Sequence, residues 1–154
     1  MQFREFSAKG RFAADVIISL CNSGVLVPNV LNNAFVVQDF GSQHTTDAHV
    51  IFDGFPRDTE QASVCDELFE LFSRDHLDIV YLDTAEEVVM ERMLKRVRED
   101  DTDEVIAKRL SQYRENTEPL IAFYKNRPNT TVHVVDGAGT EEEVQAAITT
   151  ALNI

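Results

Sequence analysis

Asp53 and Arg57 lie four residues apart in the stretch VIFDGFPRDTEQA (50–62), placing a carboxylate and a guanidinium on either side of one short turn. A carboxylate at the end of an apolar run can hold magnesium through water, and an arginine fork can grip a phosphate at two points. Gly54 and Pro56 between them are turn residues. DGFPR alone is also ordinary punctuation between a strand and a helix. A second set of cations lies downstream, where seven of the 14 Lys and Arg residues fall between Arg92 and Arg114. Arg92 and Arg96 are spaced to share one helix face. Arg98 follows in a polar break, and Arg109 lies in the first turns of the next helix. Several arginines converging on one point suit phosphoryl transfer, where catalysis is mainly positioning and charge neutralisation. The plainer reading is a solvated basic surface pairing with Glu91, Glu99 and nearby acids.

The elements that must position these residues alternate. HVIF (49–52), LDIVYL (77–82) and TVHVV (131–135) read as strands, leading into Asp53, Asp83 and Asp136. A helical pattern follows each, and Thr84–Glu87 and Thr140–Glu143 have capping-box spacing. Strands alternating with helices predict a parallel α/β sheet. Ligands of such sheets gather beyond the C-terminal strand ends, which points to Asp53–Arg57 and Asp136–Gly139. The first forty residues read as helical: Phe12, Val16 and Leu20 recur at four-residue spacing, Gly24 suits a helix end, and Pro28 starts a second helix running to about Phe40. GSQHTTDA (41–48) reads as a loop. Residues 104–125 form a long amphipathic helix with Ile106, Leu110, Tyr113, Leu120 and Tyr124 along its stripe, a pattern that core packing explains.

At 154 residues the chain has the length of one domain, with 44% apolar and 27% charged residues. Its net charge of −13 is the reverse of what binding to nucleic acid requires, so nucleic acid is not expected as a partner. No apolar run approaches the roughly 18 residues of a membrane span, and the N-terminus shows no secretory pattern. Two cysteines without metal-ligand spacing make the cytoplasm the default compartment.

At this point the sequence resembles the adenylate kinase family of nucleoside monophosphate kinases, from about Phe3 to Asn153. DGFPRDTEQA, RMLKRVREDD, KRLSQYRENTEPLIAFY and VVDGAGTEEEV are similar to family blocks in the family's order, and SGVLVPN (23–29) to the segment before the helix that closes over the monophosphate. The resemblance implies reversible conversion of ATP and AMP to two ADP with Mg²⁺. It implies that Arg4 and Arg57 hold the AMP phosphate, while main chain near Val27, with Gly54 and Gln61, holds the adenine. An amide at Gln61 can donate and accept along a base edge; pyrimidine kinases of the family tend to carry asparagine there. Asp53 is implied to sit near the magnesium, with no direct metal ligand, and Arg92 against the ATP base and phosphates. Arg96, Arg98 and Arg109 are implied to neutralise the charge in transfer, and main chain around Gly137 to line the ATP adenine pocket.

Two departures shape the expectations. The lid inserted in family members is reduced to Val97, and no zinc-binding lid is implied. No G-x-x-x-x-G-K-[ST] loop occurs. The expected fold is therefore a P-loop kinase-like three-layer α/β domain over 1–154 with a parallel sheet, lacking the first strand, P-loop, first helix and second strand. Residues 10–40 form its AMP-binding helical part and 96–101 a vestigial lid. The leading reading is an adenylate kinase missing its N-terminal segment, inactive or impaired as this chain. A UMP/CMP-type kinase and a non-catalytic nucleotide-binding or interaction remnant are the alternatives. A monomer is expected of the complete protein, and association to complete the sheet of the truncated one.

Overall fold

The computed structural model describes residues 12–43, 49–96 and 102–154. Two strands, β1 (Leu77–Asp83) and β2 (Thr130–Asp136), pair in parallel, from Leu77 opposite Thr130 to Asp83 opposite Asp136. Parallel neighbours need a crossover. It consists of α4 (Glu86–Lys95), α5 (Asp103–Gln112), a π-helical turn (Tyr113–Thr117) and α6 (Glu118–Lys125). Preceding β1 are α1 (Phe12–Asn22), α2 (Asn29–Gln43) and α3 (Thr59–Leu71), and α7 (Glu141–Leu152) follows β2. The fold is thus mixed helix and strand around a small parallel sheet, an incomplete P-loop kinase-like α/β arrangement.

Strand periodicity decides how the sheet is covered. Leu77 and Ile79 share one face of β1, and with Val132 they pack against Ala62 of α3 and Leu120 and Tyr124 of α6. Ile106 and Leu110 are buried on α5, as their stripe predicts, whereas Tyr113 in the π-turn is 37% exposed. In α1 Ile17 is buried at 1% exposure, and Val16 stands 50% exposed. Gly24 ends α1 at φ +68°, and the Val25 amide donates to the Leu20 carbonyl at 3.0 Å. That is a left-handed glycine closure of a helix end. Cys65, 1% exposed on α3, is a small buried hydrophobe whose thiol is pushed up to about 12 by burial.

Three sequence expectations need correction. HVIF (49–52) forms no strand: among the described residues the sheet has only β1 and β2, and an extended run is a strand only when its backbone is paired. Ile51 is accordingly 90% exposed. Phe52 instead anchors this segment through rings, with centroids 5.9 Å from Phe40, Phe55 and Phe69. The loop expected from residue 41 begins later, because α2 continues to Gln43; residues 44–48 lie outside the described ones. The capping box at Thr140 forms, but the one at Thr84 does not, since α4 starts after Ala85 without a side-chain cap. Thr84 lies against Gly137 instead, where a Cβ would stand 2.1 Å from the threonine hydroxyl.

Candidate functional site: the DGFPR turn and the Arg92 loop

The turn at 53–57 is built on a positive-φ glycine. Gly54 has φ +70°, and a Cβ there would lie 2.9 Å from Arg57 Nη2. The conformation therefore favours glycine, while the crowding is with the mobile end of the Arg57 side chain. Arg57 folds back over it, donating from Nε to the Gly54 carbonyl at 2.7 Å. The Phe55–Pro56 peptide is cis, and Phe55 is buried in the ring cluster. From the other side, the Thr117 hydroxyl in the π-turn donates to the Arg57 carbonyl at 3.0 Å. Asp53 is exposed at the mouth of the turn.

Asp58 caps α3, its Oδ1 accepting from the Gln61 amide at 2.9 Å. The Gln61 side chain is 2% exposed and is tied at both ends. Its Oε1 accepts from the Arg57 main-chain N–H at 2.8 Å, and its Nε2 donates to Asn29 Oδ1 at 2.7 Å. Asn29 opens α2 and donates from Nδ2 to Asp58 Oδ2 at 3.0 Å and to Glu60 Oε2 at 2.9 Å. The start of α2 is thereby joined to the start of α3. Val27, half-buried, lies in the short connection leading into α2.

A second group forms beyond the paired strand ends. The Gly137 amide continues the ladder by donating to the Asp83 carbonyl at 2.9 Å, and the Ala138 amide donates to Asp136 Oδ1 at 2.8 Å. Arg92 reaches this loop from α4. Its Nη1 donates to the Gly137 carbonyl at 2.6 Å, and its Nη2 donates to the carbonyls of Ala138 and Gly139 at 2.7 and 2.8 Å. A planar fork spreads its donors over separate nitrogens and so reaches several acceptors at once, whereas a lysine's donors all radiate from one atom. The two residues that the sequence reading assigned to one pocket, Arg92 and Gly137, are in direct contact.

The remaining cations divide. Arg109 runs along Gly24, where a Cβ would lie 3.7 Å from the arginine Cγ, so α5 meets the connection that carries Val27. Arg96 is exposed at the end of α4. Arg4 and Arg98 lie outside the described residues, as does most of the expected lid at 96–101. Two cations take the surface-pairing role. Arg114 binds Glu86 through Nε and Nη2 at 2.5 Å each, and Lys95 binds Glu91 at 2.5 Å. Hydrogen bonds from these cations hold the Glu86 and Glu91 carboxyls below the usual carboxylate range. Among the described residues no group of three or more His, Cys, Asp or Glu side chains is placed to hold a metal ion.

Asn29 and Thr117 were not singled out in the sequence. The signal at Asn29 was slight, an amide directly after the helix-starting Pro28. Its partners are 29 to 32 residues away, where local patterns carry no information. Thr117 sits inside an expected helix, and the π-turn that aims its hydroxyl at Arg57 has no sequence mark.

Comparison with known proteins gives this arrangement a context. A family model described as Adenylate kinase matches residues 2–129. The chain is 35% identical over 155 residues to an adenylate kinase of Thermus thermophilus, covering 98% of this chain and 79% of that protein. It is 39% identical over 130 residues to adenylate kinase 1 of a Nostoc species, covering 82% of this chain and 67% of the relative. An adenylate kinase of Mycobacterium tuberculosis is 36% identical over 131 residues, covering 85% of this chain and 70% of the relative.

Proposed function

This chain belongs to the adenylate kinase family, and on that footing we propose that the turn at Asp53–Arg57, with Gln61, is its AMP site. The family is one of nucleoside monophosphate kinases, and its reaction is reversible phosphoryl transfer, ATP and AMP giving two ADP. The observation that carries the residue assignment is the convergence of Gly54, Arg57 and Gln61 in one hydrogen-bonded turn.

Within that turn the chemistry divides by residue. Arg57 spends Nε on Gly54, which fixes the plane of the guanidinium and leaves its terminal nitrogens to fork onto the monophosphate. Arg4 is proposed as its partner on the same phosphate. Gln61 has used one amide hydrogen and one oxygen lone pair; the remaining pair matches the donor and acceptor on the adenine edge. Gly54 and main chain near Val27 line the base. On the donor side, Arg92 and the loop around Gly137 hold the ATP base, in a loop already shaped by three carbonyl contacts. Arg96, Arg98 and Arg109 neutralise the charge in transfer.

Magnesium is the proposed cofactor. It keeps most of its waters and uses one or two carboxylates together with substrate phosphates, so the single exposed carboxylate of Asp53 fits it through water. When bound with ATP it supplies charge neutralisation on the phosphates. Among the described residues no helix is long and apolar enough to cross a membrane. The cytoplasm, where ATP and AMP are exchanged, is the proposed compartment.

The test is equilibrium binding of AMP, CMP and UMP by calorimetry. AMP is expected to bind tightest. Arg57→Ala is expected to weaken it by roughly 10- to 100-fold, the value of a charge-assisted bond, and Gln61→Asn to reduce the preference for AMP. Equal affinity for the three monophosphates, unchanged in both variants, would rule the assignment out.

A further inference from the structure

We propose that Asn29 is a positioning residue for base selection, fixing which end of the Gln61 amide donates and which accepts. The inference rests on the reading that Gln61 meets the base edge. A glutamine amide presents nearly the same shape either way round, so its orientation must come from neighbours of unambiguous chemistry.

The relay through Asn29 has such neighbours at both ends. At one end, the Arg57 main-chain N–H donates to Gln61 Oε1 at 2.8 Å, and a peptide N–H cannot accept. At the other, Asn29 Nδ2 faces Asp58 Oδ2 at 3.0 Å and Glu60 Oε2 at 2.9 Å, and ionised carboxylates cannot donate. These contacts turn Asn29 Oδ1 toward Gln61, which donates to it from Nε2 at 2.7 Å. Gln61 is tied at both ends, so a flipped amide would meet mismatched partners at both.

Orientation matters because it is what separates two purines of the same size. The adenine edge offers a donor at the exocyclic amine beside an acceptor ring nitrogen. The hypoxanthine edge offers the reverse, an acceptor oxygen beside a ring N–H. An amide held one way round favours AMP, and an amide free to flip serves both.

The test compares affinities for AMP and IMP in the full chain, with melting temperature measured alongside. Asn29→Leu removes one of the two contacts that orient Gln61, leaving the Arg57 N–H alone, and is expected to lower the AMP-to-IMP ratio about fivefold. Asn29→Asp keeps an acceptor toward Gln61 while placing a third carboxylate beside Asp58 and Glu60. It is expected to melt lower than Asn29→Leu yet to keep the ratio within about twofold of the parent chain. A merely structural role gives the opposite, with selectivity falling in step with stability, and that result would overturn the proposal. Should Asn29→Leu not fold, Asn29→Ala reads the same ratio. Gln61→Leu separates the role of Asn29 from that of Gln61. If it abolishes the ratio while Asn29→Leu leaves it intact, the role of Asn29 is wrong. If Gln61→Leu itself leaves the ratio unchanged, the reading of Gln61 is wrong, and this inference goes with it.

Discussion

The guanidinium of Arg92 donates to the carbonyl of Gly137 at 2.6 Å, bridging 45 residues of sequence. With the neighbouring bonds to Ala138 and Gly139, it makes the loop after β2 depend on a side chain from α4. Arg92→Ala is expected to lower stability by about 1 kcal/mol, the usual net value of such hydrogen bonds. Exchange of the Ala138 and Gly139 amides should quicken by about fivefold. Arg92→Lys should restore little, because an ammonium cannot span three acceptors as a planar fork does. Hydrogen-exchange mass spectrometry and denaturant melts check both, and an Arg92→Ala loop that exchanges at the parent rate would contradict the contact.

Gly137 and Thr84 set up a steric cycle. A Cβ on residue 137 would stand 2.1 Å from Thr84 Oγ1 and 3.3 Å from Leu82 Cβ. Gly137→Ala is expected to cost about 1–3 kcal/mol, the range for overpacking. In Gly137→Ala with Thr84→Ala the nearest clash is gone, and the double variant should be more stable than the sum of the single losses implies. Urea melts of the four chains give the coupling, and simple additivity would show that the hydroxyl moves aside without cost.

An acid-range stability change is expected at the N-terminal half of the sheet. Asp78 on β1 is 2.8 Å from His133 Nε2 on β2 and 3.4 Å from His76 Nε2. The hydrogen bond with His133 is the main reason its carboxyl is held below the usual range, with the His76 contact acting in the same direction. A depressed carboxyl stabilises the fold above its unfolded value, about 4, and loses that contribution as pH falls through the lower folded value. The parent chain should therefore melt above Asp78→Asn at pH 6, by at most about 1 kcal/mol for so exposed a pair. The difference should vanish in strong acid. Thermal melts between pH 2 and pH 6 check this, and a constant gap would contradict the sign.

Much of this arrangement was legible in the sequence because local chemistry determined it. β1 and β2 fall where alternation and apolar runs placed them, and the Thr140 cap forms as its spacing requires. Gly54 and Gly24 take positive φ where turn chemistry asked for glycine. HVIF forms no strand because a strand-like run needs a partner backbone, and local pattern does not say whether one is present. Phe52 is held by rings, and no ladder forms there among the described residues. The contacts that complete the site, Asn29 with Gln61, Thr117 with Arg57 and Arg92 with Gly137, all join residues far apart in the chain. Such contacts depend on how α2, α3 and the crossover pack, which periodicity does not encode. The roles of Arg4 and Arg98 rest on the family resemblance, since both lie outside the described residues.

On the proposed function, the turn around Gly54 and Arg57, closed by Gln61, receives AMP. The most direct measurement is a titration of the ¹⁵N-labelled chain with AMP, followed residue by residue by NMR. The main-chain signals of Gly54 and Arg57 and the side-chain amide of Gln61 are expected to move together and saturate. IMP should move the Gln61 amide less. A chain in which AMP leaves all three signals in place, or shifts only the loop at Gly137–Gly139, would contradict the account.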